Sequence, residues 1–365
     1  MKQKQQLQIV SKKKSPMKPV DTGATIGIDL GDQWSHYCVL NEGGEIVEEG
    51  RFRTTPEALT KHFDGLERAR IAMEAGTHSI WINEKLRALG HEVIVANVQE
   101  LHAICRSNRK CDRADAEKLA RYARLDPEVL RPIKHRSVAQ QEALTLIRAR
   151  DVMVRVRTTL SNALRGLAKP CGYRLPSPLT KKGAKRCLAE LPESLHPALG
   201  PLIQQIQELS DQIHVYDRQI VEMTKKSYPE TQALVQVHGV GELTAMTFVL
   251  TLGEKERFEK SRDVGPYLGL RPRRKQTGGS DPQLRITKAG NRYARKLLVE
   301  CANFILGPFG KDSELRQWGL RLAERGGTNA RKRAKVAVAR RLAVLLHRLW
   351  VTQAKYQPFY VSAAA

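Results

Sequence analysis

The stretch Ala24 to Gly31, Ala-Thr-Ile-Gly-Ile-Asp-Leu-Gly, constrains the fold more than any other, because its apolar run closes on a single carboxylate. Thr25, Ile26 and Ile28 suit a β-strand, and Gly27 and Gly31 leave room beside the backbone. A charge at the end of such a run is costly unless something pairs with it. Asp29 therefore reads either as a turn residue closing a strand or as a functional carboxylate. Trp34 to Leu40 and Glu45 to Arg53 follow as two further strands, which makes a hairpin meander.

The next segments alternate helix and strand. Thr55-Pro56-Glu57 has the form of an N-cap with proline at the first helical position, opening a helix to about Leu66. Arg70 to Ala75 is a short apolar run that ends on a second isolated acid, Glu74. Thr77 to Leu89 is expected to be helical, His91 to Ala96 a strand and Val98 to Ile104 a short helix. This is an α/β order with Asp29 and Glu74 both at strand ends.

Two more acids follow in Lys110-Cys111-Asp112-Arg113-Ala114-Asp115. Asp112 can serve as an N-cap with acids filling the first turn. At i,i+3, however, Asp112 and Asp115 share one helix face and can point together at one ion. Hard oxygen ligands of this kind suit Mg²⁺, often two ions bridged by carboxylates, for in-line attack on phosphodiesters.

The charge balance points the same way. Sixty-two Lys and Arg against 38 Asp and Glu give a net charge of +24, and the isoelectric point is near 10.0. Such a surface favours a polyanionic partner, although basic ribosomal or membrane-surface proteins share it. Only 5% of the residues are aromatic, which argues against base stacking as the main mode of binding. No apolar run approaches the roughly 20 residues needed to cross a bilayer. Met1 to Lys18 carries six lysines and no apolar core behind them, so it is expected to be a flexible basic tail and no signal peptide. The six cysteines are scattered without a Cys-x-x-Cys pair, as in a reduced, cytoplasmic protein with neither a zinc site nor a disulfide framework.

Ser137 to Leu167 and Leu202 to Met223 repeat apolar residues in steps of three and four, and predict an antiparallel helical pair or coiled coil. A Pro- and Lys-rich connection, Lys169 to Pro201, joins them. Val235 to Ala245 then carries His238-Gly239-Val240-Gly241 between an apolar lead and a helix start. It resembles a helix-hairpin-helix element, whose exposed backbone N–H groups grip phosphate. Any helix–helix turn can use such glycines, so the motif is weak by itself.

Arg271-Pro272-Arg273-Arg274-Lys275-Gln276-Thr277-Gly278-Gly279-Ser280 is a basic loop ending in hydroxyls and glycines, and Arg285 and Lys288 follow before a helix from Asn291 to Leu306. A hydroxyl among guanidinium groups suits either a nucleophile attacking phosphate or a loop that only positions phosphate. Asp312 to Glu324 and Thr328 to Trp350 complete the chain as helices. Arg331, Lys332, Arg333 and Lys335 crowd the start of the last one, where a nucleic-acid backbone is a reasonable partner.

Taken together, Gly-Ile-Asp-Leu-Gly around Asp29, Met-Glu-Ala around Glu74, Asp-Arg-Ala-Asp-Ala around Asp112 and Asp115, His-Gly-Val-Gly, Tyr-Leu-Gly-Leu-Arg-Pro-Arg-Arg, Gln-Thr-Gly-Gly and Leu-Arg-Ile-Thr-Lys-Ala-Gly-Asn resemble the DEDD-type transposases of bacterial insertion sequences, the bridge-RNA-guided recombinases. The resemblance covers Thr25 to about Trp350. It implies an α/β, ribonuclease H-like (RuvC-like) domain over 23–130, a helical coiled-coil spacer over 131–226 and a mainly α C-terminal transposase domain over 227–353, with tails at 1–22 and 354–365. It implies Mg²⁺ on Asp29, Glu74, Asp112 and Asp115. It further implies a covalent protein–DNA intermediate on a C-terminal serine, a structured guide RNA and a homo-oligomer, dimer or tetramer, near the nucleoid. The serine's position is held here by Thr277, whose β-branch crowds in-line attack, and Ser280 is the alternative.

Other classes fit less of the chain. A RuvC-like resolvase or nuclease would use the same carboxylates with water as nucleophile. An actin-like ATPase would need a second glycine-rich phosphate loop and an adenosine motif, and neither is found. A non-catalytic nucleic-acid-binding protein would account for the charge but not for the four acids.

Overall fold

The computed structural model describes residues 23–97, 111–177, 181–282, 284–327 and 329–359. The chain divides into two compact units, Met1–Arg136 and Ser137–Ala365. The expected basic tail, 1–22, and the expected helix Val98 to Ile104 lie outside the described residues.

The first unit is built on a mixed five-stranded sheet in the order β3-β2-β1-β4-β5. β1 (Thr25–Asp29), β2 (Trp34–Leu40) and β3 (Ile46–Arg53) form the antiparallel meander. β4 (Arg70–Glu74) lies parallel to β1, and β5 (Glu92–Ala96) parallel to β4. Alternation along the strands sends every second side chain to one face. Ile26, Ile28, Ile71, Met73, Val93 and Val95 fill one face, and Leu59 and Phe63 of α1 (Pro56–Phe63) and Ile82 and Leu86 of α2 (Ser79–Ala88) pack on them. Each such fully buried side chain contributes roughly 1.5–3 kcal/mol. Thr55 caps α1 by accepting from the Ala58 N–H at 3.3 Å. The helix stops at Phe63 rather than Leu66, because the chain then reaches Gly65 in the left-handed region, φ +78°.

The opposite face carries small residues and one helix. Ala116 and Ala120 of α3 (Asp112–Leu125) lie on Cys38 and Leu40, while its Leu119 and Ala123 meet Ala72, Ile94 and Ala96. Gly27 decides how close this helix comes: a Cβ there would overlap the Ala116 carbonyl oxygen and lie 2.5 Å from the Ala120 nitrogen. After α3 the chain returns to the sheet, where Ile133 N–H donates to the Val95 carbonyl at 2.9 Å.

In the second unit, α4 (Val138–Ala168) and α6 (His196–Lys226) form an antiparallel hairpin. Arg150 meets Asp217 at 2.5 Å and Arg157 meets Ser210 at 3.3 Å, so residue numbers rise on one helix as they fall on the other. Ser137 and Gln140 close a capping box at the start of α4. The connection expected between the two helices contains a helix of its own, α5 (Lys181–Glu190). Its Ala184 and Cys187 join Leu164, Ala168, Leu199, Ile203 and Ile206 in a small core.

At the other end of the hairpin, Ala143, Leu144, Ile147 and Ile220 enter a larger core. This core is centred on α8 (Glu242–Leu252), which is buried from Thr244 through Leu252. A helix that is apolar all round belongs inside. Around it pack α7 (Thr231–Val235), α9 (Val264–Tyr267), α10 (Arg292–Leu306), α11 (Glu314–Glu324) and α12 (Ala330–Thr352). Val338, Leu342 and Leu346 of α12 face this core, with Val336 and Leu345 half-buried beside it. The stretch after α12, expected to be a tail, is tied down at its start. Tyr356 N–H donates to Gln236 Oε1 at 2.9 Å, and the Pro358 carbonyl accepts from Glu314 N–H at 2.9 Å. No helix among the described residues is long and apolar enough to cross a membrane.

Candidate catalytic centre and nucleic-acid interface

Asp29 and Glu74 are the last residues of two adjacent parallel strands, one step beyond the pair Ile28 and Met73. Parallel pairing therefore delivers both carboxylates to the same end of the sheet. α3 begins over that end. Its N-cap is Cys111, which makes no side-chain cap bond, so Asp112 is the first helical residue rather than the cap. Asp112 and Asp115 occupy the first turn, one turn apart on the same side.

The four acids are close enough to be felt electrostatically. Burial, followed by the charges of Asp112, Glu74 and Asp115, pushes the Asp29 carboxyl up to about 6, with His36 opposing. His36 Nδ1 lies 3.7 Å from Asp112 Oδ2, and Lys118 Nζ 2.9 Å from Asp115 Oδ1. Among the described residues, no three His, Cys, Asp or Glu side chains already form a metal cage. The donor chemistry nevertheless suits a hard divalent cation: four carboxylates, two on strand ends and two on a helix turn, with a charge on Asp29 that burial and then repulsion disfavour.

In the second unit, the basic loop is a narrow ribbon. Arg273 N–H donates to the Arg285 carbonyl and Thr287 N–H to the Arg271 carbonyl, each at 2.9 Å, with a bridge between Pro272 and Ile286. Its tip is a two-residue turn, Gly278-Gly279, with Gly278 at φ +56°. A positive φ at the first central position and not at the second, Gly279, is the mark of a type II′ hairpin turn. Thr277 and Ser280 flank the turn and are exposed. Arg271, Arg273, Arg274, Lys275, Arg285 and Lys288 are exposed along the ribbon, and Arg274 pairs with Asp281 at 3.4 Å. Arg340 of α12 joins Arg271, Arg273 and Arg274 around a shallow cleft.

The His238-Gly239-Val240-Gly241 turn joins α7 to α8. Gly239 needs its φ of +94° and also its missing side chain, since a Cβ would press on Phe304 at 2.9 Å. His238 turns inward to the Phe309 carbonyl at 3.3 Å and against the Phe304 ring, while Gly241 is exposed at the N-terminus of α8. Arg331, Lys332 and Arg333 are exposed in the first turn of α12, which contains no acid. Cations there oppose the positive end of the helix dipole, so the arrangement favours an anion.

Some side chains near the carboxylates went unread in the sequence. His36 is one, and Trp34 with Arg51 and Arg53 beside it are others. Their only signal is the alternation Trp-x-His on β2 and Arg-x-Arg on β3, which places all four on the α3 face of the sheet.

Comparison with known proteins agrees with this geometry. A family model described as a transposase, of the DEDD and IS110 type, matches residues 26–170. A second, described as a transposase of the IS116/IS110/IS902 family, matches residues 231–312. Among curated relatives, the transposase for insertion sequence element IS1111A of Coxiella burnetii is 26% identical, over 96% of this chain and 95% of its own length. The transposase for insertion sequence element IS1328 of Yersinia enterocolitica is 29% identical, over 76% of this chain and 82% of its own. A probable family 20 transposase of Pseudomonas aeruginosa is 29% identical, over 91% and 98%. A mixed α/β unit followed by a mostly helical unit is compatible with a DNA transposase of this type. The chain belongs to the DEDD-type, IS110-family transposases.

Proposed function

We propose that the protein carries out Mg²⁺-dependent DNA strand cleavage and exchange through a covalent protein–DNA intermediate, with a RuvC-like first unit supplying Asp29, Glu74, Asp112 and Asp115 as metal ligands. The observation that carries this reading is the convergence of the four acids on one sheet end, where burial first and then the charges of Asp112, Glu74 and Asp115 raise Asp29 to about 6. When bound, a divalent ion polarises phosphate oxygens and stabilises the charge of an in-line displacement. The chain's own part is geometric: β1 and β4 fix Asp29 and Glu74 side by side, and α3, seated on Gly27, fixes the height of Asp112 and Asp115.

Thr277 is the proposed nucleophile, with Ser280 as its alternative. Its Oγ1 attacks a DNA phosphorus: a new P–O bond forms, the scissile P–O bond breaks, the hydroxyl loses its proton, and the departing DNA oxygen gains one. The phosphodiester is conserved in this exchange, so rejoining needs no energy source. Arg271, Arg273, Arg274, Lys275, Arg285 and Lys288 along the ribbon stabilise the phosphate charge. His238, Gly239, Gly241, Arg331, Lys332 and Arg333 are assigned to nucleic-acid backbone, which includes a structured guide RNA. Exposed Val152, Val156 and Leu167 on α4 support association of copies into a homo-oligomer.

The test is a denaturing gel of the protein incubated with labelled element-end DNA, target DNA, Mg²⁺ and RNA from the element's flanks. The expected result is a covalent adduct that disappears in Glu74→Ala and Thr277→Ala. Loss with Ser280→Ala instead moves the nucleophile there. Strand cleavage without any adduct replaces this reading with a nuclease that uses activated water.

A further inference from the structure

α3 does not cover the whole of its sheet face. The helix runs along β2 and β3 with Arg113 paired to Glu49 near its start and Arg121 and Arg124 at Gly44 near its end. Trp34, Arg51 and Arg53 therefore lie beyond the start of the helix, at the end of the sheet where the carboxylates stand. Trp34 is in register with Arg53, and His36 with Arg51, so these side chains share one face. On β1, Asp29 is in register with His36. Arg51 is thus two strands away from Asp29, about 10 Å across the sheet.

The two guanidinium groups are held in place but not neutralised. Their carbons lie 4.6 and 4.7 Å from the centre of the Trp34 ring. A guanidinium over an indole face is attracted by the ring's quadrupole. Both arginines are exposed, and among the described residues neither forms an ion pair with a carboxylate. Two cations fixed on one indole repel each other, so the arrangement is favoured by an anion that bridges them. With the ring occupied by guanidinium groups, Trp34 has little face left for a base, and contact with backbone phosphate follows.

We propose that Trp34, Arg51 and Arg53 form a ledge that grips the phosphodiester backbone of the DNA strand entering the carboxylate centre. The inference rests on the reading of that centre given above. Trp34 is a positioning residue, since it acts by fixing the two arginines. The ledge sets how the strand lies over Asp29 and reads no sequence.

The experiment is a salt titration of binding, by fluorescence anisotropy, with the full-length protein and a labelled single-stranded DNA oligonucleotide from the element end. Arg51→Gln/Arg53→Gln is expected to weaken binding about tenfold near 0.15 M salt. It should also reduce the slope of log affinity against log salt by about 1.4, for two lost contacts of about 0.7 each on a single strand. Arg51→Lys/Arg53→Lys should keep the slope with intermediate affinity, because the charge stays while the stacked fork is lost. Both positions are exposed, and an unchanged melting temperature will show that the variants fold. Unchanged affinity and slope in the Gln variant overturns the ledge, as does a loss confined to RNA of the same sequence. Asp29→Asn in parallel separates the two readings. If it abolishes the strand reaction while the Gln variant binds normally, the ledge fails and the catalytic reading stands. If the Gln variant loses binding while Asp29→Asn reacts normally, the catalytic reading fails and the arginines remain a phosphate contact.

Discussion

Thr277 and Ser280 exchange both backbone hydrogen bonds, at 3.1 Å in each direction, and so stand directly opposite each other across the Gly278-Gly279 turn. Cross-strand partners put their side chains on the same side of a ribbon, with Cα atoms about 5.5 Å apart. Both hydroxyls therefore lie on the same side of the ribbon. Thr277→Ser removes the β-branch and should raise the rate of adduct formation by about two- to fivefold, since a freer χ1 admits more in-line approaches. Thr277→Ala should lower it by on the order of a thousandfold or more, as loss of a nucleophile does. Single-turnover kinetics on a denaturing gel measures both. A slower Thr277→Ser protein with a null Ser280→Ala would assign the chemistry to Ser280.

Asp29 should make the stability of the protein depend on pH. Its folded carboxyl titrates at about 6 against an ordinary value of 3.8. Between those values the folded state binds more protons than the unfolded one, so stability falls as pH rises through the window and stays low above it. Asp29→Asn escapes that penalty. The variant should melt higher than the native protein at pH 7 to 8, with the gap closing as pH drops toward about 4. Mg²⁺ should raise the melting temperature of the native protein at pH 7 to 8 and leave Asp29→Asn nearly unmoved. Thermal melts at several pH values, with and without Mg²⁺, check both; equal Mg²⁺ shifts would remove Asp29 from the ligand set.

Gly27→Ala should be more damaging than its chemistry suggests. The added methyl would meet the backbone of α3 at Ala116 and Ala120, which cannot turn aside as a side chain can. Overpacking of this kind costs about 1–3 kcal/mol. Urea denaturation should show that loss, and strand cleavage should fall further than stability does, because Asp112 and Asp115 move with the helix.

Arg70 and Glu92 form a partly buried pair between β4 and β5 at 3.0 Å, with only 12% and 11% of each side chain exposed. Glu92 Oε1 lacks a hydrogen-bond partner among the described residues. Arg70→Ala should cost about 3–5 kcal/mol by stranding that carboxylate, whereas Arg70→Met/Glu92→Leu should cost much less. Chemical denaturation of the single and double variants decides; equal losses would mean that the charge on Glu92 is well solvated.

Much of the first unit was legible because its cues are local. Thr25, Ile26 and Ile28 alternate around glycine, Thr55-Pro56 announces a helix, and Asp112 and Asp115 share a face by spacing alone. What went unread depends on register or on thin signals. α5 is held by few apolar anchors, Ala184 and Cys187 among them, set between lysines and a glycine, so the stretch looks like a linker. The ribbon around Thr277 reads as a basic loop, because charged residues occupy both of its faces and leave no alternation to see. Arg51 and Arg53 gain meaning only once β3 is known to lie in register with Trp34 and His36.

Gly27 also bears on how copies of such a gene would decay. Every substitution at that position adds a Cβ, so any missense change there lifts α3 off the sheet, whatever residue replaces the glycine. All four acidic codons would remain intact in such a copy. A census that scores copies by their acids alone would overlook such a change, and the letter to check beside the acids is a glycine two residues before the first.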